Sequence, residues 1–241
     1  MYHLFHLIFN YLYIFSYPLY KKCYFLYKNL SDRKKKKLIA KYLTSGMNVL
    51  DIGANIGYYT QYFSEIVGNS GLVYAFEPDT KNFKYLEATI KNNKNVIPIN
   101  KAVGEASKKV KLYTSKELNV DHQTYDSGEN RETIEIEMLA IDDLLADKNH
   151  SIDFIKLDIQ GYDYYAVKGM EKMIRHSEKI GIFGEFSPYS LNKAGVNPND
   201  YILLLKELGF EVTVFGLEKE ENFDKYINEK TFYTDFWAIK N

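Results

Sequence analysis

Four carboxylates fall where candidate strands end: Asp51, Glu77, Asp158 and Glu185. Any one of them reads as well as a solvated loop residue or a helix cap. Together, on one edge of an open α/β sheet, they describe a polar cleft, because ligands of such sheets bind outside the carboxyl ends of the strands. The first acid opens the run Asp51-Ile-Gly53-Ala-Asn55-Ile-Gly57. A buried strand, a loop built on two glycines and a helix start suit a nucleotide-like ligand. Gly adopts positive φ and lets a ligand approach where a Cβ would clash. The helix start adds unpaired N–H groups. The third glycine of a G-x-G-x-x-G turn and the Gly-Lys-Ser/Thr ending of a P-loop are missing. The ligand should be nucleoside-like with little phosphate, and S-adenosylmethionine (SAM) fits that description.

Glu77 lies 24 residues after Gly53, at the end of the next strand. An acid there can accept hydrogen bonds from both ribose hydroxyls; the alternative is a helix-capping acid beside Pro78. Asp51 either orients the glycine loop or meets the amino acid part of SAM through water. Asp158 could bind a substrate hydroxyl, act as general base or help hold a divalent cation; its bland alternative is an N-cap. Glu185 is a similar case. His122, in the stretch Asp121-His122-Gln-Thr-Tyr125-Asp126, is a second candidate base, set against the commoner lone surface histidine. A divalent cation is open, because carboxylates converge, but no pair has diagnostic spacing and no metal ligand is assigned.

The elements that must position these residues follow from periodicity. Helix 31–43 precedes strand 47–51, and helix 58–67 follows the glycine loop. Strand 72–77, helix 81–92 and strand 96–103 come next. The alternation then changes. Residues 109–114 and 133–139 alternate with period two, as an antiparallel pair inserted after the third strand. The 18-residue polar loop 115–132 between them is long enough to suggest function. Strand 152–158 is apolar enough to be central. A helix from Gly161 to His176, strand 179–186, a helix over 200–208 capped by Gly209 and strands 211–215 and 232–239 complete an α/β domain.

The 241 residues suit one domain with an appendage. The single cysteine, Cys23, leaves no disulfide framework and no cysteine zinc cluster. The net charge of −1 hides an asymmetry. Residues 1–20 carry no Asp, Glu, Lys or Arg. Residues 21–41 carry nine Lys/Arg against Asp32, which leaves 22 basic and 31 acidic residues elsewhere. The acidic body argues against a nucleic acid substrate. The leader is a poor signal peptide, since its positive charges follow the apolar run. It is also a poor transmembrane helix, interrupted by His3, His6, Asn10, Ser16 and Pro18. Its tyrosines and the basic collar suit a membrane interface. Apolar helices packed on the domain or on a second subunit suit it as well. The division expected is a helical extension over 1–43 and a SAM-binding domain over 44–241.

Taken together, the chain resembles the FkbM family of SAM-dependent methyltransferases. The carrying segments are VLDIGANIGYYT (49–60), VYAFEPDTKNF (73–83), INKAVGEASKKVKLY (99–113), the Ile-Asp-Asp-Leu-Leu run at 141–145 and IDFIKLDIQGYDYYAVKGM (152–170). Most specific is Lys-x-Asp-x-x-Gly-x-[Asp/Glu] after the fourth strand. The family's usual Glu before that glycine is Gln160 here, so position 160 supplies no carboxylate. The resemblance implies a three-layer Rossmann-like sheet of seven mostly parallel strands, the last antiparallel. It implies methyl transfer from SAM to a hydroxyl oxygen, of a surface-glycan sugar or a small metabolite. It carries Asp51, Gly53, Asn55 and Gly57 onto the SAM loop, Glu77 onto the ribose acid, Ala102 onto the adenine side and Asp158 onto the transfer site.

The competing reading is a non-catalytic SAM-fold scaffold that anchors a glycan-assembly complex at a membrane. A dehydrogenase is disfavoured by the absent third glycine. The expected location is the cytoplasm, with the inner membrane face, a peripheral membrane contact through residues 1–41 and a homodimer left open.

Overall fold

The structure is a computed structural model and describes residues 11–13, 15–115, 122–146, 151–217 and 222–241. Two helices come first, α1 (Tyr17–Ser31) and α2 (Arg33–Tyr42); residues 11–13 are helical as well. The alternating part begins with β1 (Val49–Ile52), α3 (Tyr58–Val67), β2 (Val73–Phe76), α4 (Thr80–Ile90) and β3 (Val96–Ile99). Three strands then leave the alternation: β4 (Ala102–Val103), β5 (Lys108–Thr114) and β6 (Glu132–Leu139). The chain returns through α5 (Ile141–Leu145), β7 (Phe154–Leu157), α6 (Asp163–Lys168), α7 (Glu171–His176) and β8 (Ile180–Phe186). It closes with α8 (Pro188–Lys193), α9 (Pro198–Glu207), β9 (Glu211–Val214) and β10 (Thr234–Lys240).

Seven strands form the main sheet in the order β3-β2-β1-β7-β8-β10-β9. β10 runs antiparallel to β8 and β9, and the other pairings are parallel. Strands β1, β2 and β7 are buried along their whole length, as strands covered on both faces must be. Alternate residues feed two cores. Leu50, Ile52, Phe76, Ile155 and Leu157 pack with α6, α7 and α9 through Ala166, Val167, Ile174 and Leu205. On the other face Val49, Val73, Phe154 and Trp237 pack with α2 and α3 through Ile39, Phe63 and Val67. The three layers, the seven strands and the reversed last strand are those the sequence led us to expect.

The inserted pair is present, with β5 antiparallel to β6, and it gains a third strand. Strand 96–103 is not continuous. It breaks at Asn100–Lys101, and β4 pairs with β6 instead of the main sheet. Helix 161–176 also divides. Gly169 lies so close to the Gly104 carbonyl that an added Cβ would sit 1.8 Å from its oxygen. The short helix α8 was not anticipated. Asp32 starts α2, yet its side chain makes no cap hydrogen bond. Its carboxylate pairs instead with Lys28 and accepts from the Tyr59 hydroxyl at 2.8 Å.

The leader packs on the domain. Tyr17, Tyr20 and Tyr24 are spaced three and four apart and share one face of α1, and Tyr13, before the break at Ser16, packs beside them. Tyr13 and Tyr20 are buried with Ile56 of the glycine loop, and Tyr17 stacks on Tyr85 of α4 with ring centroids 3.4 Å apart. The Tyr13 hydroxyl donates to Asn82 Oδ1 at 2.7 Å. Among the described residues, no helix is long and apolar enough to cross a membrane.

Candidate functional site

The loop between β1 and α3 is held from below. Gly53 has φ +80°, and a Cβ on it would meet the Asp158 carbonyl oxygen at 2.1 Å. Gly57 has φ +87°, and its Cβ would meet Leu86 of α4 at 2.9 Å. Both glycines are therefore required by protein contacts. The close approach of β7 and α4 demands them on its own, alongside any space a ligand needs. Asn55 sits at φ +50°, a left-handed conformation that Asn tolerates better than most residues.

Asp51 is not on the edge. It is fully buried, one residue pair inside it, accepting from Thr60 Oγ1 at 2.6 Å with Lys156 Nζ 3.4 Å from its other oxygen. Lys156, itself buried, donates to the Gly53 carbonyl at 2.8 Å and lies 3.7 Å from Asp158. The sequence motif includes this lysine but assigns it no role. Its signal is one cation inside the apolar run Ile-Asp-Phe-Ile-Lys-Leu.

Register places the edge acids. Ile52 pairs with Phe76 and with Leu157, Leu157 with Gly184, and Glu185 with Asp235. One residue further along, Glu77, Gly53, Asp158, Glu185 and Asp235 form a row across five adjacent strands. Three of the four expected acids lie in it. Asp235 is new, because β10 runs the other way and brings its first residues, not its last, to this edge. Ala102 lies elsewhere, buried in the small sheet with Leu112, Ile136 and Met138.

The two ends of the row differ in chemistry. Glu77 is buried and accepts from the backbone N–H of Asn55 at 2.8 Å and of Asp79 at 3.0 Å. Those bonds use about two of the four acceptor directions of a carboxylate. Burial pushes its pKa up to about 7 although both N–H bonds oppose the shift. Burial, then Asp158 and Asp163, raises Glu185 to about 8. Burial and Asp158 raise Asp163 to about 7. Asp163 accepts from the Gly161 N–H at 3.1 Å with one oxygen. Lys35 of α2 reaches over to Asp235 at 2.7 Å.

The described part of the long loop closes over this half. Tyr125 donates to the Gln160 carbonyl at 2.8 Å, and Gln160 Nε2 donates to Asp158 at 3.1 Å. Gln160 is held at φ +56°. Glu129, paired with Lys230 and Arg131, ties the loop to the approach to β10. His122 is fastened differently: its Nδ1 accepts from the Ser115 N–H at 3.1 Å, at the base of the β5–β6 hairpin. Tyr24, whose hydroxyl is pushed well up by burial and then by Asp158 and Asp32, brings α1 to the same acids. Among the described residues, no three His, Cys, Asp or Glu side chains converge as metal ligands.

This donor set fits SAM better than a phosphate ligand. The nearest cation, Lys156, is already engaged by Asp51 and Gly53. The row itself is acidic, which suits a sulfonium.

The strand order, the glycine loop and the acidic edge define a Rossmann-like, SAM-dependent methyltransferase. The profile of the Methyltransferase FkbM domain matches residues 51–212, and the chain belongs to that family. Solved structures agree on the fold. A Clostridium thermocellum protein described as an rRNA methylase superposes with TM-score 0.53 at 10% identity, covering 86% of this chain and 93% of that one. A Streptococcus mutans protein described as a methyltransferase, solved with SAH, gives 0.51 at 12% identity, with 87% and 97% covered. Aeropyrum pernix fibrillarin with natively bound SAM gives 0.50 at 14% identity, with 86% and 74% covered. A sequence search of curated proteins finds no match.

Proposed function

We propose that this methyltransferase transfers the methyl group to a hydroxyl oxygen, of a sugar in a surface glycan or of a small metabolite. The observation that carries this reading is the row Glu77–Gly53–Asp158–Glu185. It sets a candidate ribose acceptor and a candidate proton acceptor on one edge, either side of the glycine loop. Bound SAM would supply an electrophilic methyl on a cationic sulfur. Asn55 and Gly57 shape the loop under the nucleoside, and Asp51 acts from inside, through Lys156 and Gly53. Glu77 uses its remaining acceptor directions for the ribose hydroxyls.

Asp158 is half-exposed at the edge and would accept the acceptor's hydroxyl proton as the oxygen bonds to the methyl carbon and that carbon's bond to sulfur breaks, leaving S-adenosylhomocysteine. Gln160 steers that carboxylate by donating to one of its oxygens. Glu185, raised to about 8, stands beside it largely protonated and offers a hydrogen-bond donor rather than a second charge. His122 is the weaker candidate for the base, since the Ser115 N–H bond to its Nδ1 fastens it to the hairpin. The chain's task is mainly alignment at near-attack distance, about 3 Å. The test is transfer from labelled SAM to a panel of cell-envelope glycans and hydroxylated metabolites. Label on a hydroxyl oxygen is expected; label only on nitrogen or carbon acceptors contradicts the reading.

A further inference from the structure

Helix α1 has two faces, and the domain uses one. The tyrosine face, Tyr17, Tyr20 and Tyr24, with Tyr13 just ahead of the helix, roofs the glycine loop and α4. On the opposite side Leu19, Lys22, Leu26 and Leu30 recur at intervals of three, four and four, a single stripe, and Phe15 is exposed just ahead of the helix. Phe15 is 69% exposed, Leu26 64% and Leu30 73%. An exposed stripe of this kind, apolar but for Lys22, marks an interaction site on a protein surface.

The cations nearby sort into two groups. Lys28 pairs with Asp32, Lys35 with Asp235, and Lys36 donates to Asn29 and lies over the Tyr62 ring. Lys22, Arg33, Lys34, Lys37 and Lys41 are exposed and make no ion pair among the described residues. The outward stripe is thus apolar with a fringe of one charge sign. A second copy of the chain would match it poorly. A two-fold interface sets the same patch against itself, and like charges would face each other. An anionic lipid surface satisfies both features, since headgroups attract the fringe and the acyl boundary takes the leucines.

We infer that the outer face of α1 docks on an anionic lipid bilayer through Leu19, Leu26 and Leu30, with Phe15 just ahead of the helix, Lys22 within the stripe and Lys34 and Lys37 of α2 at its end. Docking would place the glycine loop about 10 Å, one helix diameter, beneath the lipid surface. This inference is independent of which acceptor the enzyme uses.

The test is co-sedimentation of the full chain with vesicles of phosphatidylcholine alone and of phosphatidylcholine with phosphatidylglycerol. Binding is expected only to the second, and it should weaken as salt screens the fringe. Two variants keep the inward face intact: Leu26→Glu with Leu30→Glu, and Lys22→Gln, Lys34→Gln, Lys37→Gln together. Each should weaken vesicle binding at least about tenfold, while SAM affinity by calorimetry and the melting temperature stay as in the parent chain. Three results would overturn the inference. The parent chain could fail to sediment with anionic vesicles, both folded variants could bind like the parent, or light scattering could show a dimer that the leucine variant dissolves.

Discussion

The two halves of the acidic edge are built by opposite means. The cofactor half comes from one local stretch, residues 51–79, and its polar groups are largely paired before any ligand arrives. Glu77 carries two backbone N–H groups, Lys156 holds the Gly53 carbonyl, and Thr60 holds Asp51. The other half gathers Asp158, Glu185 and Asp235 from three distant stretches. There the acids crowd one another, and Glu185 is raised to about 8 by burial, Asp158 and Asp163. The difference teaches where flexibility of charge resides. One half is a preformed cradle; the other is a set of carboxylates that a cation and a hydroxyl would relieve.

The largest expected effect breaks the second half alone. Asp158→Asn removes the proton acceptor and should lower turnover by about 10²–10⁴-fold; a rate near that of the parent would sink the assignment. Breaking the first half should act on affinity. Glu77→Ala leaves the Asn55 and Asp79 N–H groups without their acceptor and removes the ribose partner. SAM affinity should fall about 100-fold, and an unchanged calorimetric isotherm would refute the role.

Gly53→Ala probes the join between the halves. Its Cβ would collide with the Asp158 carbonyl at a left-handed φ, so unfolding stability should drop by about 2 kcal/mol or more. Denaturant melts that coincide with the parent's would count against that contact.

The smallest effect concerns pH. Glu185 has its native pKa at about 8, above the roughly 4.3 of an unfolded chain. The native state therefore holds the extra proton, and its stabilising contribution is complete below that lower value and lost as pH rises towards 8. Stability of the parent should decline between pH 5 and 8 by about 1 kcal/mol or more on this account, and Glu185→Gln should flatten the decline. Identical slopes would show that Glu185 titrates normally.

Much of the cradle was legible because its residues are sequence neighbours. Asp51, Gly53, Asn55, Gly57 and Glu77 follow from one strand–loop–helix–strand unit. The reasons for them were less legible: the glycines answer to β7 and α4, which the local sequence does not mention. The other half was legible only in part. Asp158 and Glu185 end parallel strands and were found. Asp235 begins an antiparallel strand and was missed, and Lys156 and Tyr24 matter only once three elements meet. The break of the third strand falls at the polar pair Asn100-Lys101, a signal the expectation of one strand over 96–103 passed over. The tyrosine face of α1 was written in its spacing, but what it would cover was not.

The separation of the two halves is tested most directly by measuring SAM affinity of Glu77→Ala and Asp158→Asn side by side by calorimetry. The account predicts loss of binding in the first and an affinity within about threefold of the parent in the second, a difference under 1 kcal/mol. Equal losses in both variants, or loss in Asp158→Asn alone, would contradict it.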